Sequence, residues 1–185
     1  MESSTTSQSV APSCVIRGPG AWNRSLPHIA QLGDRPLLLG RSPSTRSLRQ
    51  RLLADIEGTV ATVASQELDH DCCEEDLDRV GRAMVHEGCN AVVAIGGGKV
   101  LDAGKLLAHR HHLPCITVPT SASTCAGWTA LANLYSSDGA FRSDVCLDRC
   151  PDLLVFDHHL IRLAPRRTLA SGVADAMAKL SLIHI

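Results

Sequence analysis

The chain has 185 residues, 44% of them hydrophobic and 20% charged, with a formal net charge of −1. That length builds one domain with a sizeable core. The near-neutral charge, with no long run of Lys or Arg, argues against nucleic acid or an anionic membrane surface as partner, and no apolar stretch approaches the roughly 20 residues a membrane helix needs. Eight cysteines, at 14, 72, 73, 89, 115, 125, 146 and 150, include no C-x-x-C pair. With Cys72 and Cys73 adjacent, the spacing suits neither a zinc site nor a disulfide framework, so reduced thiols in a cytoplasmic protein are expected.

Residues 1–12, MESSTTSQSVAP, lack the basic start and apolar stretch of a secretory signal and are expected to form a disordered tail. CVIRGPG then predicts a short strand and a turn, and AWNRSLPHIAQLG a helix ending at a glycine. RPLLLG predicts a short buried strand. STRSLRQRLLADIEG predicts a helix with Leu48, Leu52, Leu53 and Ile56 on one face and Gly58 as its stop. TVATVAS, residues 59–65, is β-branched and predicts a strand.

The clearest unit follows. EEDLDRVGRAMVHEGC places Leu77, Val80, Met84 and Val85 at helical spacing, NAVVAIGGG is an apolar strand running into glycines, KVLDAGKLLAHRHH is helical and LPCITVPT is another strand. Strands that are apolar throughout and alternate with helices predict a parallel sheet covered on both faces. ALANLYSSDGAFRSDVCL predicts a hairpin turning at Ser137-Asp138-Gly139. PDLLVFD is one more buried strand, and APRRTLASGVADAMAKL a helix behind Pro165.

The run AIGGGKVLDAGK fits neither G-x-G-x-x-G nor G-x-x-x-x-G-K-[ST]. It lies where a parallel sheet binds ligands, beyond the carboxyl end of a strand. Glycines permit positive φ and close approach of backbone to a ligand, the next helix aims its free N–H groups into the same space, and Lys99 adds charge. A pyrophosphate or phosphate site is one reading; a tight strand–helix turn needing glycine only for shape is the other. Asp102, one turn after Lys99, is placed to cap, to pair with Lys99 or Lys105, or to orient a ligand. The loop VPTSASTCAGW follows the next strand and brings the hydroxyls of Thr120, Ser121, Ser123 and Thr124 to the same edge, or is an ordinary polar loop. The histidines of HRHH at 109–112, and His158-His159 after the last strand, read as solvated residues at element ends.

The stretches RGPGAW, GCNAVVAIGGGKVLDAGKLLA, ITVPTSASTCAGWTALANLY, PDLLVFD and SGVADAMAK, in this order and spacing, resemble the N-terminal part of the iron-containing alcohol dehydrogenase superfamily, in its glycerol dehydrogenase-like branch. The resemblance implies a Rossmann-like NAD(P)-binding α/β domain over residues 13–163 with a small β-hairpin. Residues 164–179 would be the first helix of an all-helical, metal-binding domain. It implies that Gly96, Gly97, Gly98 and Lys99 hold the pyrophosphate of NAD with Asp102 in support. Thr120 and Ser123 would line the nucleotide site, and Thr129, Leu131 and Tyr135 would lie near the nicotinamide. Asp175 falls at the first ligand of a divalent metal, zinc or iron. The activity implied is oxidation of a small alcohol or polyol at its CH–OH group, in a homo-oligomer.

Three departures qualify the resemblance. Cys125 stands where glycerol dehydrogenases place an aspartate against the polyol, and a thiol does not accept hydrogen bonds as a carboxylate does. Gly40-Arg41 stands where the family often has an acid for the adenosine ribose; an arginine there either favours the 2′-phosphate of NADP or points to solvent. After Lys179 the pattern stops, and LSLIHI back-translates to the end of a common transposase adapter. Residues 180–185, with His184, are therefore expected to be a non-native tail on an N-terminal fragment. Two other readings stay open: a glycerol-1-phosphate dehydrogenase or dehydroquinate synthase-like enzyme on the same architecture, and a nucleotide-binding module without catalysis of its own.

Overall fold

The computed structural model describes residues 10–183. Most of the expected tail, residues 1–9, and His184 and Ile185 lie outside the described residues. In chain order the elements are β1 (Cys14–Gly18), α1 (Ala21–Leu32), β2 (Pro36–Gly40), α2 (Arg46–Glu57), β3 (Ala64–Glu67), α3 (Glu74–His86) and β4 (Ala91–Gly96). Then come α4 (Gly98–Arg110), β5 (Cys115–Pro119), β6 (Leu131–Tyr135), β7 (Phe141–Cys146), β8 (Leu153–Asp157), α5 (His158–Arg162) and α6 (Arg166–Ile183). Six strands form one parallel sheet in the order β1-β8-β5-β4-β2-β3, while β6 and β7 form the predicted antiparallel hairpin.

The apolar strands bury both faces, as expected of a parallel sheet. Leu38, Ala91, Val93 and Ile95 pack with Ile29 of α1 and with Leu52 and Ile56 of α2. Leu37, Leu39, Val92 and Ala94 pack on the opposite side with α3 and α4. Each fully buried Leu, Ile or Val contributes about 1.5–3 kcal/mol of transfer free energy. Helix α4 is buried along almost its whole length, between β4, β5 and the β6 strand. It sits so close to the sheet that a Cβ on Gly104 would lie 2.4 Å from the Cβ of Ala94. The helix that follows the glycine run is therefore a rigid part of the core.

Asp157 ends β8 and ties two helices to it. Its Oδ2 accepts from the N–H of Trp22 at the start of α1, and its Oδ1 from the N–H of His159 in α5. His158 and His159 open the short helix α5, directly after β8.

Two expectations need correction. The strand expected over 59–65 begins only at Ala64. The N–H groups of Thr59 and Val60 turn back to the carbonyl of Ile56, and those of Ala61 and Thr62 go to Asp34, so this backbone closes α2 instead of entering the sheet. Val85, placed at helical spacing with Leu77, Val80 and Met84, is 64% exposed, whereas those three are buried in the core.

Candidate functional site

Helix α2 leaves β2 on one face of the sheet, and α4 leaves β4 on the other. Because β2 and β4 are neighbours, their carboxyl ends open a crevice at this reversal, where doubly wound sheets take ligands. A cleft of about 300 Å³ lies there. Arg41, Ser42 and Thr45 form one wall; Gly96, Gly97, Gly98 and Lys99 form the other, with Thr120 at the base. The Thr120 N–H donates to the carbonyl of Gly96 at 3.0 Å, which fixes the second loop against the first.

None of the three glycines has positive φ. Their use is space, so the expectation of left-handed backbone does not hold at this turn. A Cβ on Gly96 would meet Val100 at 2.8 Å and one on Gly98 would meet Thr124 Oγ1 at 2.9 Å, whereas one on Gly97 would meet nothing within 4 Å. Gly97 is thus the bare floor of the cleft. No side chain caps α4, and the first-turn amides of Gly98 and Lys99 have no partner among the described residues. Those donors and the helix dipole suit an anion.

A second cleft, about 320 Å³, continues from the first past Gly98 and Lys99, which line both. Asp102, Ser123, Cys125, Thr129, Leu131 and Tyr135 line it. The residues singled out in the sequence as cofactor or substrate contacts therefore all fall in two connected clefts, with Lys99 at the junction. The Lys99 ammonium pairs with Asp71 and stands 4.5 Å above the Tyr135 ring. Asp71 also meets Arg41 at 2.7 Å, so one carboxylate holds a cation from each wall.

Of the partners open to Asp102, the structure selects Lys105, at 2.9 Å. Both side chains are nearly fully buried, at 8% and 2% exposure. Lys105 Nζ also donates to the carbonyls of Thr129, at 3.3 Å, and of Leu131, fastening the start of β6 to α4. Burial pushes the Asp102 carboxyl above its ordinary range, and Lys105 offsets this only in part.

Asp175 is exposed on α6. One turn before it, Gly172 meets the second loop so closely that a Cβ would lie 2.4 Å from the Ala122 carbonyl oxygen. A single carboxylate does not make a metal site. Among the described residues one donor cluster, His70, Cys73 and Asp76, comes within 4.8 Å. Its Asp76 already accepts from the N–H groups of Asp69 and His70 and pairs with Arg79 at 2.7 Å, so it closes the loop into α3.

Sequence reasoning missed Asp71 and the anchoring role of Lys105. Lys105 had a signal, a lysine in an otherwise apolar helix one turn from an aspartate. Asp71 sits in a charged loop, and nothing in its neighbours marks it.

A parallel sheet in this strand order, with its cleft at the β2/β4 reversal, defines a Rossmann-like α/β domain. The model of the iron-containing alcohol dehydrogenase family matches residues 12–158. The chain belongs to that family, in its glycerol dehydrogenase-like branch. It is 44% identical over 173 residues to an uncharacterised oxidoreductase of Synechocystis sp., covering 94% of this chain and 44% of that protein. To the glycerol dehydrogenase of Pseudomonas putida it is 39% identical over 176 residues, covering 88% and 47%. The crystal structure of a probable glycerol dehydrogenase from Sinorhizobium meliloti superimposes with a TM-score of 0.81 at 30% identity, covering 93% of this chain and 46% of that one. The chain spans about half the length of the curated relatives it matches. All eight cysteines are free thiols, and no described helix is long and apolar enough to cross a membrane.

Proposed function

We propose that this chain forms the dinucleotide-binding half of an NAD(P)-dependent oxidoreductase acting on the CH–OH group of a small alcohol or polyol. The observation that carries the reading is the pair of clefts joined at Lys99. The first has the bare backbone, open amides and cations that a diphosphate and adenosine require. The second, lined by Thr129, Leu131 and Tyr135, has room for the nicotinamide and a small substrate.

In this reading Gly96–Gly98 admit the pyrophosphate to the start of α4, Lys99 turns from Asp71 toward it, and Thr120 and Ser123 line the nucleotide. Asp102 acts through Lys105, which holds the wall at Thr129 and Leu131. Cys125 faces the substrate with a thiol, which favours a less polar contact than a carboxylate would make. The bound dinucleotide supplies or accepts the hydride. Asp175 would give one ligand to a divalent ion, zinc or iron, from a helix that starts a second, helical unit. One carboxylate does not fix such an ion.

The test is titration of the chain with NADH and NADPH, followed by quenching of tryptophan fluorescence and energy transfer to the reduced nicotinamide. Saturable binding of at least one is expected. Gly97→Val, at a position where an added Cβ meets nothing within 4 Å, should abolish it. Wild-type chain that binds neither would refute the reading.

A further inference from the structure

We infer that the first cleft is built for the 2′-phosphorylated dinucleotide, NADP(H), with the turn Arg41-Ser42-Pro43-Ser44-Thr45 as the receptor of the 2′-phosphate. This deepens the proposed function and rests on it.

The adenosine ribose of an unphosphorylated dinucleotide is commonly held through its diol by a carboxylate at the end of the second strand. Here β2 ends in Gly40, and Arg49 lies so tightly over it that a Cβ at Gly40 would sit 2.1 Å from the Arg49 side chain. A carboxylate side chain has no room at that position. Arg41 follows; it lines the cleft with its side chain 41% exposed. Its NH1 is on Asp71; its remaining guanidinium nitrogens have no partner among the described residues and stay available for a bidentate contact.

The turn is held from beneath. Arg49, 4% exposed, donates to the Ser42 carbonyl at 2.9 Å and to Thr45 Oγ1 at 2.6 Å. Ser42 and Ser44 share a hydrogen bond at 2.7 Å, so their hydroxyls lie together on the exposed side of the turn. The two nearby carboxylates are each divided between two cations: Glu67 between Arg46 and Arg49, Asp71 between Arg41 and Lys99. With Lys99 turned to the pyrophosphate, Arg41, Arg46 and Arg49 face two carboxylates at this end of the cleft, which leaves these arginines one positive charge in excess. A ribose diol gives them no counter-charge, whereas a phosphate monoester carries about −1.5 to −2 near neutral pH.

The experiment measures NADPH, NADH, 2′,5′-ADP and 5′-AMP binding to wild type, Arg41→Ala and Ser42→Ala, with thermal melts confirming that the variants fold. Wild type should take NADPH at least about tenfold more tightly than NADH, and 2′,5′-ADP more tightly than 5′-AMP by a similar factor. Arg41→Ala should weaken the two 2′-phosphorylated ligands by about tenfold or more and the other two by less than about threefold; Ser42→Ala should act in the same sense but less. If the chain binds NADH as tightly as NADPH, or if Arg41→Ala weakens all four ligands alike, this inference fails while the proposed function stands. If no dinucleotide binds, the proposed function itself fails.

Discussion

Replacing Lys105 with Met keeps the length and apolar stem of the side chain and removes only the ammonium. In the native chain that ammonium is 2% exposed, pairs with Asp102 at 2.9 Å and donates to the carbonyls of Thr129 and Leu131. The variant leaves a buried carboxylate without its cation and two carbonyls without their donor. Breaking one partner out of a buried pair costs about 3–5 kcal/mol, a large share of the about 5–15 kcal/mol that holds an ordinary domain together. The same change has a pH signature. The folded-state carboxyl of Asp102 already lies above its ordinary value, because burial outweighs Lys105. Without Lys105 it rises further, so the folded chain keeps a proton that the unfolded chain has lost. Stability then falls as pH rises above the ordinary aspartate value of about 3.9, and acidification from pH 7 toward pH 5 should return part of it. Urea unfolding at both pH values checks this, with Asp102→Asn/Lys105→Met as the control that removes the charge and flattens the pH response. A loss below about 1 kcal/mol at pH 7, or a deficit that does not shrink on acidification, would refute the view of Asp102–Lys105 as a coupled buried pair.

Peptide mapping after treatment with a thiol reagent should find Cys125 and Cys146, both exposed, modified first. Cys72 and Cys115, whose thiols burial pushes up to about 12, should resist until the chain unfolds; their early modification would contradict the packing around α4. NADPH should protect Cys125, which lines the second cleft, and leave Cys146 reactive. Asp157→Ala removes the acceptor for the first amides of α1 and α5 and should cost about 1–3 kcal/mol in a thermal or urea melt. Burial raises the Asp76 carboxyl, but the N–H groups of His70 and Asp69 and the Arg79 guanidinium outweigh it and hold the group below its ordinary value. Its stabilisation is therefore full above about pH 4 and is lost as pH falls through the folded-state value. Asp76→Asn should lower stability at pH 7 and flatten the acid limb of the stability profile.

Most of this fold was legible because the parallel strands are apolar throughout and the helices between them keep a 3.6-residue period. PLLLG, AVVAIG, CITVP and LLVFD each form a buried strand. Legibility failed where local chemistry and tertiary placement diverged. The β-branched run 59–63 has strand propensity, yet its amides are captured by Ile56 and Asp34, and the polar segment Ala-Ser-Gln-Glu becomes the edge strand because it pairs only with β2. The site divides the same way. Residues adjacent in sequence to the glycine run were readable, since a strand end and a helix start fix their direction. Asp71 was not. It comes from the loop after β3 and reaches Lys99 and Arg41 only because the sheet order sets β3, β2 and β4 side by side.

The glycine run shows how much a motif alone leaves undecided. As letters, its three glycines are equivalent, and the choice between a ligand cradle and a tight turn stays open. In three dimensions they separate. Gly96 and Gly98 are glycine because a methyl group would strike Val100 or Thr124, which is the tight-turn reading. Gly97 faces open space, which no demand of the fold explains. The tight-turn reading accounts for Gly96 and Gly98, and the proposed cradle rests on Gly97. The separation has a measurable form: alanine at Gly96 or Gly98 should lower the melting temperature, whereas alanine at Gly97, whose φ of −82° suits any residue, should leave the fold intact and weaken only what binds in the cleft.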